Sequence, residues 1–387
     1  MVEVGKFTLE SLTTGMYSDP RIVYREYIQN SVDSIENAVA EGLMSNEDAY
    51  IKVFIDAENG CISIIDNGKG ISVARATNVL LSIGKSTKRQ DANRGFRGIG
   101  RLGGLSYCEH LSFTTSVQGE DVATRIVFDC KLLKSLLSPD HEEELDLQSV
   151  IERITEVEEI DVDKDDHFFR VDMDEVDSSS ELLDLDEIKQ YLSEVAPVPY
   201  DERHFVVAPE IKRFLTEHDY TLTEFKIFIG YDEDHLKQVR KPNRYRFRSD
   251  RNQRTEDVIT EVVTFSIDLD STSSLLGWYG RCNWNGTLSD NALLGMRMRL
   301  GNILIGDRRT MDVMFKEPRF NGWVQGEIFV NTTGLIPNAR RDDFEQNEVY
   351  YQMIEKLKAR VGDVITREIR DCLLYTSPSP RDRSLSR

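Results

Sequence analysis

The stretch from Tyr50 to Ile71 leaves this chain the least freedom. Tyr50-Ile-Lys-Val-Phe-Ile-Asp56 alternates with the period of a half-buried strand, Asn59-Gly60 is a hairpin turn, and Cys61-Ile-Ser-Ile-Ile65 is the returning strand. The return ends in Asp66-Asn-Gly-Lys-Gly-Ile71. A carboxylate at a strand end, followed by two glycines, accepts hydrogen bonds where the backbone can approach a flat ligand. Alone, the same string also makes an ordinary turn.

Upstream, Ser18-Asp19-Pro20 reads as a helix start, and Ile28, Val32, Ile35 and Val39 recur at +4, +3, +4 as one apolar stripe that Gly42 can close. Glu26, Asn30, Asp33 and Asn37 form a polar stripe on the same helix, the pattern of any solvent face. Downstream, Ile83-Gly-Lys-Ser-Thr-Lys88 precedes Gly95-Phe-Arg-Gly-Ile-Gly-Arg-Leu-Gly-Gly-Leu105. Gly95, Gly98 and Gly100, with Ile99 between them, lead into an apolar run and offer backbone N–H groups to a phosphate at a helix N-terminus. Lys85, Lys88, Arg94 and Arg97 flank them. Neither a Walker A loop nor a dinucleotide fingerprint fits the spacing.

The 387 residues carry 48 Lys or Arg against 68 Asp or Glu, a formal charge of −20. From Asp140 to Asp166, 13 acidic residues face only Arg153 and Lys164, so about half of that charge belongs to one segment, read as a solvated surface insertion. A strongly acidic chain disfavours broad non-specific binding to nucleic acid or anionic lipid, but permits a local basic groove. No stretch approaches the ~18 apolar residues of a membrane span, and the start of the chain lacks a signal-peptide core, so a cytoplasmic protein is expected. The five cysteines form no C-x-x-C pair, against a zinc site or disulfide framework.

Taken together, the three elements resemble the ATPase superfamily that joins gyrase, the ninety-kilodalton heat-shock chaperones, histidine kinases and MutL-type repair proteins. Glu26, Asn30 and Asp33 match its first box, Asp66, Gly68 and Gly70 its second, and Gly95, Gly98 and Gly100 its phosphate loop. The run from Met16 to Asp33 looks most like the heat-shock chaperones, whereas Gly95-Phe-Arg-Gly98 looks like the MutL type. The resemblance implies ATP and Mg²⁺ as ligands. It implies Glu26 as general base, Asn30 as the metal-holding side chain, and Asp66 as acceptor for the adenine amino group. The amides around Gly98, Ile99 and Gly100, with Lys85, would neutralise the triphosphate. The threonine that the family places on a late strand beside the adenine-binding Asp has no clear match in Phe168-Phe-Arg-Val-Asp172.

In the second half, Leu182–Val195 reads as a helix and Pro197–Pro199 as a break, which sets a boundary near residue 200. Tyr220–Ile229, Thr260–Asp268 and Gly277–Cys282 read as strands, and Met296–Ile305 as a bulged strand or a hairpin. Trp278, Trp284 and Trp323 suit core anchors. Phe320–Val330 followed by Leu335-Ile-Pro-Asn-Ala-Arg-Arg-Asp-Asp-Phe resembles the middle-domain loop of the heat-shock chaperones, which puts Arg341 on the family's γ-phosphate-sensing arginine. Cys372-Leu-Leu-Tyr-Thr-Ser-Pro-Ser-Pro-Arg-Asp382 resembles a translated sequencing adapter, so the helix is expected to stop near Asp371 and the natural protein to continue differently.

The expected fold is α/β. A Bergerat-type α/β sandwich over residues 1–200, with the acidic insertion at 140–166, precedes a second, middle- or transducer-like α/β domain over 201–371, and 372–387 stand apart. The expected function is an ATP-driven conformational switch, a homodimer by family resemblance, acting as a chaperone-like protein remodeller. The alternative is a DNA-associated clamp of the MutL or microrchidia type.

Overall fold

The computed structural model describes residues 19–82, 100–138, 143, 145–249, 255–338 and 340–376. Lys85, Lys88, Arg94, Gly95, Arg97, Gly98 and Ile99 lie outside this set, as do Ser18 and residues 377–387. The described chain is α/β and divides into two compact units. One holds residues up to Val198 with Phe225–Val239, the other Pro199–Glu224 and the chain from Arg240 onward.

The first unit is built on helix α1 (Ile22–Ala40) and the hairpin of β1 (Ile51–Asp56) and β2 (Cys61–Asp66), paired from Ile51↔Asp66 to Asp56↔Cys61. The helix starts a few residues later than Ser18-Asp19-Pro20 suggests. Asp19 accepts the Arg21 amide at 3.0 Å and pairs with its guanidinium, forming a turn ahead of the first helical residue. Its end follows the sequence: Gly42 has φ +74, Leu43 N reaches Ala38 O and Gly42 N reaches Val39 O, a Schellman closure. Ile28, Val32, Ile35 and Ala38 are buried. So are Tyr24, Glu26, Tyr27 and Gln29, which means the N-terminal end of the polar stripe is not a solvent face.

Next come α2 (Val73–Leu81), a short 3₁₀ turn (Gly100–Ser106), β3 (His110–Ser116), β4 (Val122–Asp129) and α3 (Cys130–Leu137). They are followed by α4 (Leu147–Ile154), β5 (Thr155–Asp161), β6 (Phe168–Asp174) and α5 (Leu185–Val195). Among the described residues, the acidic segment contributes α4 and β5. Val150, Ile151 and Ile154 are buried on α4, Asp146 caps that helix through Ser149 N at 2.8 Å, and β5 is an edge strand whose carboxylates face solvent. Charge along an edge discourages pairing with other chains.

The sheet order is β5-β4-β3-β6-β2-β1-β7-β8. Strands β7 (Ile227–Gly230) and β8 (Lys237–Gln238) complete it, β7 lying parallel to β1 with Ile51 opposite Ile227 while every other pairing is antiparallel. The strand read at Tyr220–Ile229 thus shortens and joins the first sheet, where Ile227 and Ile229 bury both side chains on the open flank of β1. Along β1 and β2 every second residue is buried, so one face of the sheet carries the core.

The second unit contains α6 (Ala208–Glu217), a pair of strands β9 (Arg246–Ser249) and β10 (Thr255–Val258), and a five-stranded sheet. That sheet runs β11 (Glu261–Asp268), β12 (Ser274–Arg281), β15 (Gln325–Asn331), β13 (Gly295–Leu300), β14 (Ile303–Ile305) in spatial order. Gly301 and Asn302 have φ +54 and +65, so Met296–Ile305 is a hairpin with a two-residue turn and not a bulged strand. Trp278 and Trp284 are buried and Trp323 is half-buried. Helices α7 (Glu348–Leu357) and α8 (Asp363–Thr376) close the unit. The last helix passes Asp371, because Leu373, Leu374, Tyr375 and Thr376 contain no helix breaker and Pro378 is the first.

At the centre of this unit lies a buried ion cluster. Glu327 on β15 accepts Lys241 Nζ at 2.9 and 3.1 Å, Arg299 Nε from β13, and the Tyr200 hydroxyl. Trp278 Nε1 donates to the Tyr200 hydroxyl at 3.2 Å. Burial pushes Lys241 down to about 7, the Arg299 charge adding to it. For Glu327, burial acts upward but the Arg299 and Lys241 charges outweigh it and hold the carboxyl at about 2.

Candidate functional site

In the first unit, the turn after β2 packs against α1. Asp66 closes β2 with no solvent exposure, and its Oδ1 accepts the Gly68 amide at 2.9 Å. Its Oδ2 is buried and has no hydrogen-bond partner. Burial is the main cause that raises this carboxyl to about 7, while the Ser31 hydroxyl, the Gly68 amide and the Ser34 hydroxyl act the other way. An orphaned buried acceptor costs free energy unless a donor reaches it, so Oδ2 is a ready anchor for one N–H of a ligand.

Two glycines make the approach possible. A Cβ at Gly68 would stand 2.7 Å from the Ser34 backbone and run into its hydroxyl. Gly70 has φ +68, and a Cβ there would fall on the Ser116 carbonyl and 3.0 Å from Phe168 O. The turn is then braced from three elements. Lys69 N donates to Ser34 O on α1 at 3.2 Å, Ile71 N donates to Thr115 Oγ1 on β3 at 2.8 Å, and His167 Nδ1 lies 2.8 Å from Gly68 O. Since a carbonyl can only accept, Nδ1 carries the proton in that bond. The Thr115 hydroxyl in turn donates a hydrogen bond to Phe168 O at 3.0 Å.

Strand β6 contributes no threonine. Its register sets Phe169 opposite Asp66, and Thr115 on β3 is opposite the same Phe169. The hydroxyl that ties the glycine turn therefore comes from one strand further along. Sequence reasoning missed Thr115 and His167, which only the strand order brings here. Ser31 and Ser34 carried a signal, since they flank Asn30 and Asp33 at helical spacing.

Glu26, Asn30 and Asp33 line up along α1, Glu26 7% exposed and the other two half-buried. Gly100, the described member of the glycine-rich loop, lies directly on Glu26: a Cβ built there would overlap the carboxylate. The 3₁₀ turn is fixed to α1 one residue further on, since Tyr27 Oη donates to Arg101 O at 3.0 Å and accepts Gly104 N at 3.1 Å. The structure thus brings Glu26, Asn30, Asp33, Asp66, Gly68, Gly70 and Gly100 together around one helix, whereas Lys85, Gly95, Gly98 and Ile99 fall outside the described residues. Among the described residues there is no group of three His, Cys, Asp or Glu side chains able to hold a metal. A metal here would rely on one side chain, such as Asn30, together with oxygens that the ligand brings, as Mg²⁺ bound to phosphates does.

In the second unit, Arg341 sits at the tip of a tight reversal. Pro337 pairs with Phe344, Asn338 N reaches Asp343 O at 2.9 Å, and Arg341 N reaches Asn338 O at 3.1 Å. The Arg341 carbonyl accepts Gly306 N at 2.9 Å, and Arg341 itself has φ +56. A left-handed non-glycine residue is strained by ~1–2 kcal/mol, and such strain gathers at working sites. Arg340 beside it is exposed.

Comparison with known proteins agrees with this geometry. Residues 17–162 match the family model described as histidine kinase-, DNA gyrase B-, and HSP90-like ATPase. The chaperone protein HtpG of Acinetobacter baylyi is 36% identical over 84 residues, 20% of this chain and 13% of that protein. HtpG of Nitrosomonas europaea is 30% identical over 129 residues, 29% and 20% of the two chains, and HtpG of Clostridium botulinum strain Langeland is 31% identical over 110 residues, 26% and 18%. The chain therefore spans 13–20% of the length of these relatives.

Proposed function

From the premise that residues 17–162 form a histidine kinase-, gyrase B- and HSP90-like ATPase domain, we propose that this protein is a Mg²⁺-dependent ATPase. In this reading it works as a conformational switch, remodelling other proteins in the manner of a chaperone. The observation that carries it is the buried, unpartnered Asp66 Oδ2 beside a turn that only glycines can form. An adenine amino group supplies the donor that this oxygen lacks, and Gly68 and Gly70 leave room for a flat base.

Glu26 acts as the general base, drawing a proton from the water that attacks the γ-phosphate. It is buried on α1, against Gly100. Asn30 would hold Mg²⁺ through its side-chain oxygen, and the metal would supply positive charge to offset that of the phosphates. Asp33, one turn from Asn30, supports the same rim. The amides of Gly95, Gly98, Ile99 and Gly100, with Lys85, neutralise the triphosphate. Arg341, from the second unit, stabilises charge on the transferring phosphoryl group and reports its presence. A homodimer and a protein client complete the reading.

Gly95-Phe-Arg-Gly98 supports a second reading, a DNA-associated clamp of the MutL or microrchidia type. The two separate on one measurement. Turnover stimulated by DNA and falling steeply with salt selects the clamp; turnover indifferent to DNA selects the remodeller. The ATPase itself is tested with wild type, Glu26→Ala and Asp66→Ala. Loss of turnover with retained nucleotide binding is expected for the first variant and loss of binding for the second. Undiminished turnover in Glu26→Ala removes that residue as the base.

A further inference from the structure

Arg101 follows the glycine-rich loop and is absorbed by none of the roles above. Its guanidinium donates to Leu80 O at 3.2 Å and to Ser82 O, two carbonyls at the C-terminal end of α2 that the helix leaves open. Its own carbonyl accepts the Tyr27 hydroxyl from α1 at 3.0 Å. One residue thereby joins three elements: the end of α2, the 3₁₀ turn, and the helix that carries Glu26. Its neighbour Gly100 is the residue pressed onto the Glu26 carboxylate. Tyr27 closes the loop of contacts by accepting Gly104 N at 3.1 Å, and Gly104 has no room for a side chain because a Cβ would meet that hydroxyl.

We propose that Arg101 is a positioning residue for the general base: by clamping the 100–106 turn between the C-terminal end of α2 and Tyr27, it fixes Gly100 against Glu26 and so sets where the carboxylate points. The guanidinium is suited to this because its planar fork reaches two carbonyls at once, which an ammonium on a flexible stem does not do in one geometry. Burial lowers the Arg101 pKa from its ordinary value; a guanidinium nonetheless keeps its charge in proteins, so the clamp is a charged one. Turnover is the sensitive quantity, because a displacement of about 1 Å in a catalytic group costs on the order of 10²-fold in rate. Adenine recognition, which rests on Asp66 and its glycines, is not.

The inference rests on the ATPase reading, so the experiment carries one readout from turnover and one that is independent of it. Wild type, Arg101→Ala, Arg101→Lys and Tyr27→Phe are compared for kcat and KM with MgATP. Amide hydrogen exchange across residues 100–106 is measured in the same proteins without nucleotide, with thermal unfolding as the check that each is folded. The expected result is a kcat about 10-fold or more below wild type in Arg101→Ala, KM within about threefold, partial recovery in Arg101→Lys, and lost protection at Gly104. Tyr27→Phe, which keeps the ring and removes only the hydroxyl, should show the same split, and the double variant should add little. A folded Arg101→Ala with kcat within twofold of wild type, or with Gly104 protected as before, overturns the proposal. A wild type that does not turn over ATP strikes the functional reading, and the exchange data then decide the clamp by themselves: lost protection supports it and retained protection overturns it.

Discussion

Gly100 and Glu26 touch so closely that any side chain at position 100 would occupy the space of the Glu26 carboxylate. What such a side chain meets is the far end of a flexible side chain, not backbone, so the fold can absorb it by swinging Glu26 aside. Gly100→Ala should therefore unfold within a few degrees of wild type while kcat falls by about 10-fold or more, because the base has moved and little else has. Thermal unfolding and steady-state turnover measured on one preparation check this. Equal losses in stability and kcat would mean that the contact holds the fold and not the base.

Asp66 makes the pH dependence explicit. Burial raises its carboxyl to about 7, whereas the unfolded chain releases that proton near ~4. Between those values the native state holds more protons than the unfolded one, so this group's contribution to stability falls as pH rises from ~4 to about 7 and is flat above. A ligand amino group donating to Oδ2 favours the ionised carboxylate. Nucleotide affinity should accordingly rise with pH up to about 7, with a proton released on binding below that value. Titration calorimetry in buffers of different ionisation enthalpy reads the proton directly. Affinity that does not change across this range contradicts the assignment of Asp66 as the base acceptor.

Local rules made part of this molecule legible and left part of it hidden. The hairpin at Asn59-Gly60, the Gly42 closure and the Asp66 turn follow from residues within a few positions of one another, which is why their sequence readings match the structure. The acidic run also conceals a helix: Leu147, Val150, Ile151 and Ile154 stand at helical spacing within it. Thr115, His167 and Arg101 had no local signature at all. They reach the site because β3 lies beside β6, β6 beside β2, and the 3₁₀ turn against α1. The return of Ile227 to β1 is likewise a pairing across about 175 residues that no window of sequence contains.

The buried cluster of the second unit predicts an asymmetry between breaking and removing charge. Glu327→Gln leaves Lys241 and Arg299 buried without their counter-ion, and should cost about 3–5 kcal/mol. Replacing Lys241 and Arg299 with methionine together with Glu327→Leu removes every charge, and should cost much less than Glu327→Gln alone. The pH signs differ too. Glu327, held at about 2, contributes stability above its unfolded value of ~4.3 that is lost as pH falls toward 2. Lys241, lowered to about 7, binds fewer protons folded than unfolded, so its contribution grows as pH rises from about 7 toward ~10. Urea unfolding of wild type and both variants across pH checks the order. A triple variant no more stable than Glu327→Gln would show that packing, not charge, is what the cluster supplies.

Arg341 offers a test that separates strain from chemistry. With φ +56 it occupies a backbone region that costs a non-glycine residue ~1–2 kcal/mol and glycine almost nothing. Arg341→Gly should therefore hold the reversal at least as well as wild type, gaining up to about 1 kcal/mol less the added freedom of the unfolded glycine. Arg341→Ala keeps the strain and loses the guanidinium. If Arg341 senses the γ-phosphate, both variants should lose turnover to a similar degree while differing in stability, and both should still bind ADP. Unfolding midpoints, ATPase rates and ADP affinity measured side by side decide it. Turnover that follows the unfolding midpoint, high in Arg341→Gly and low in Arg341→Ala, would assign Arg341 to the loop's conformation alone.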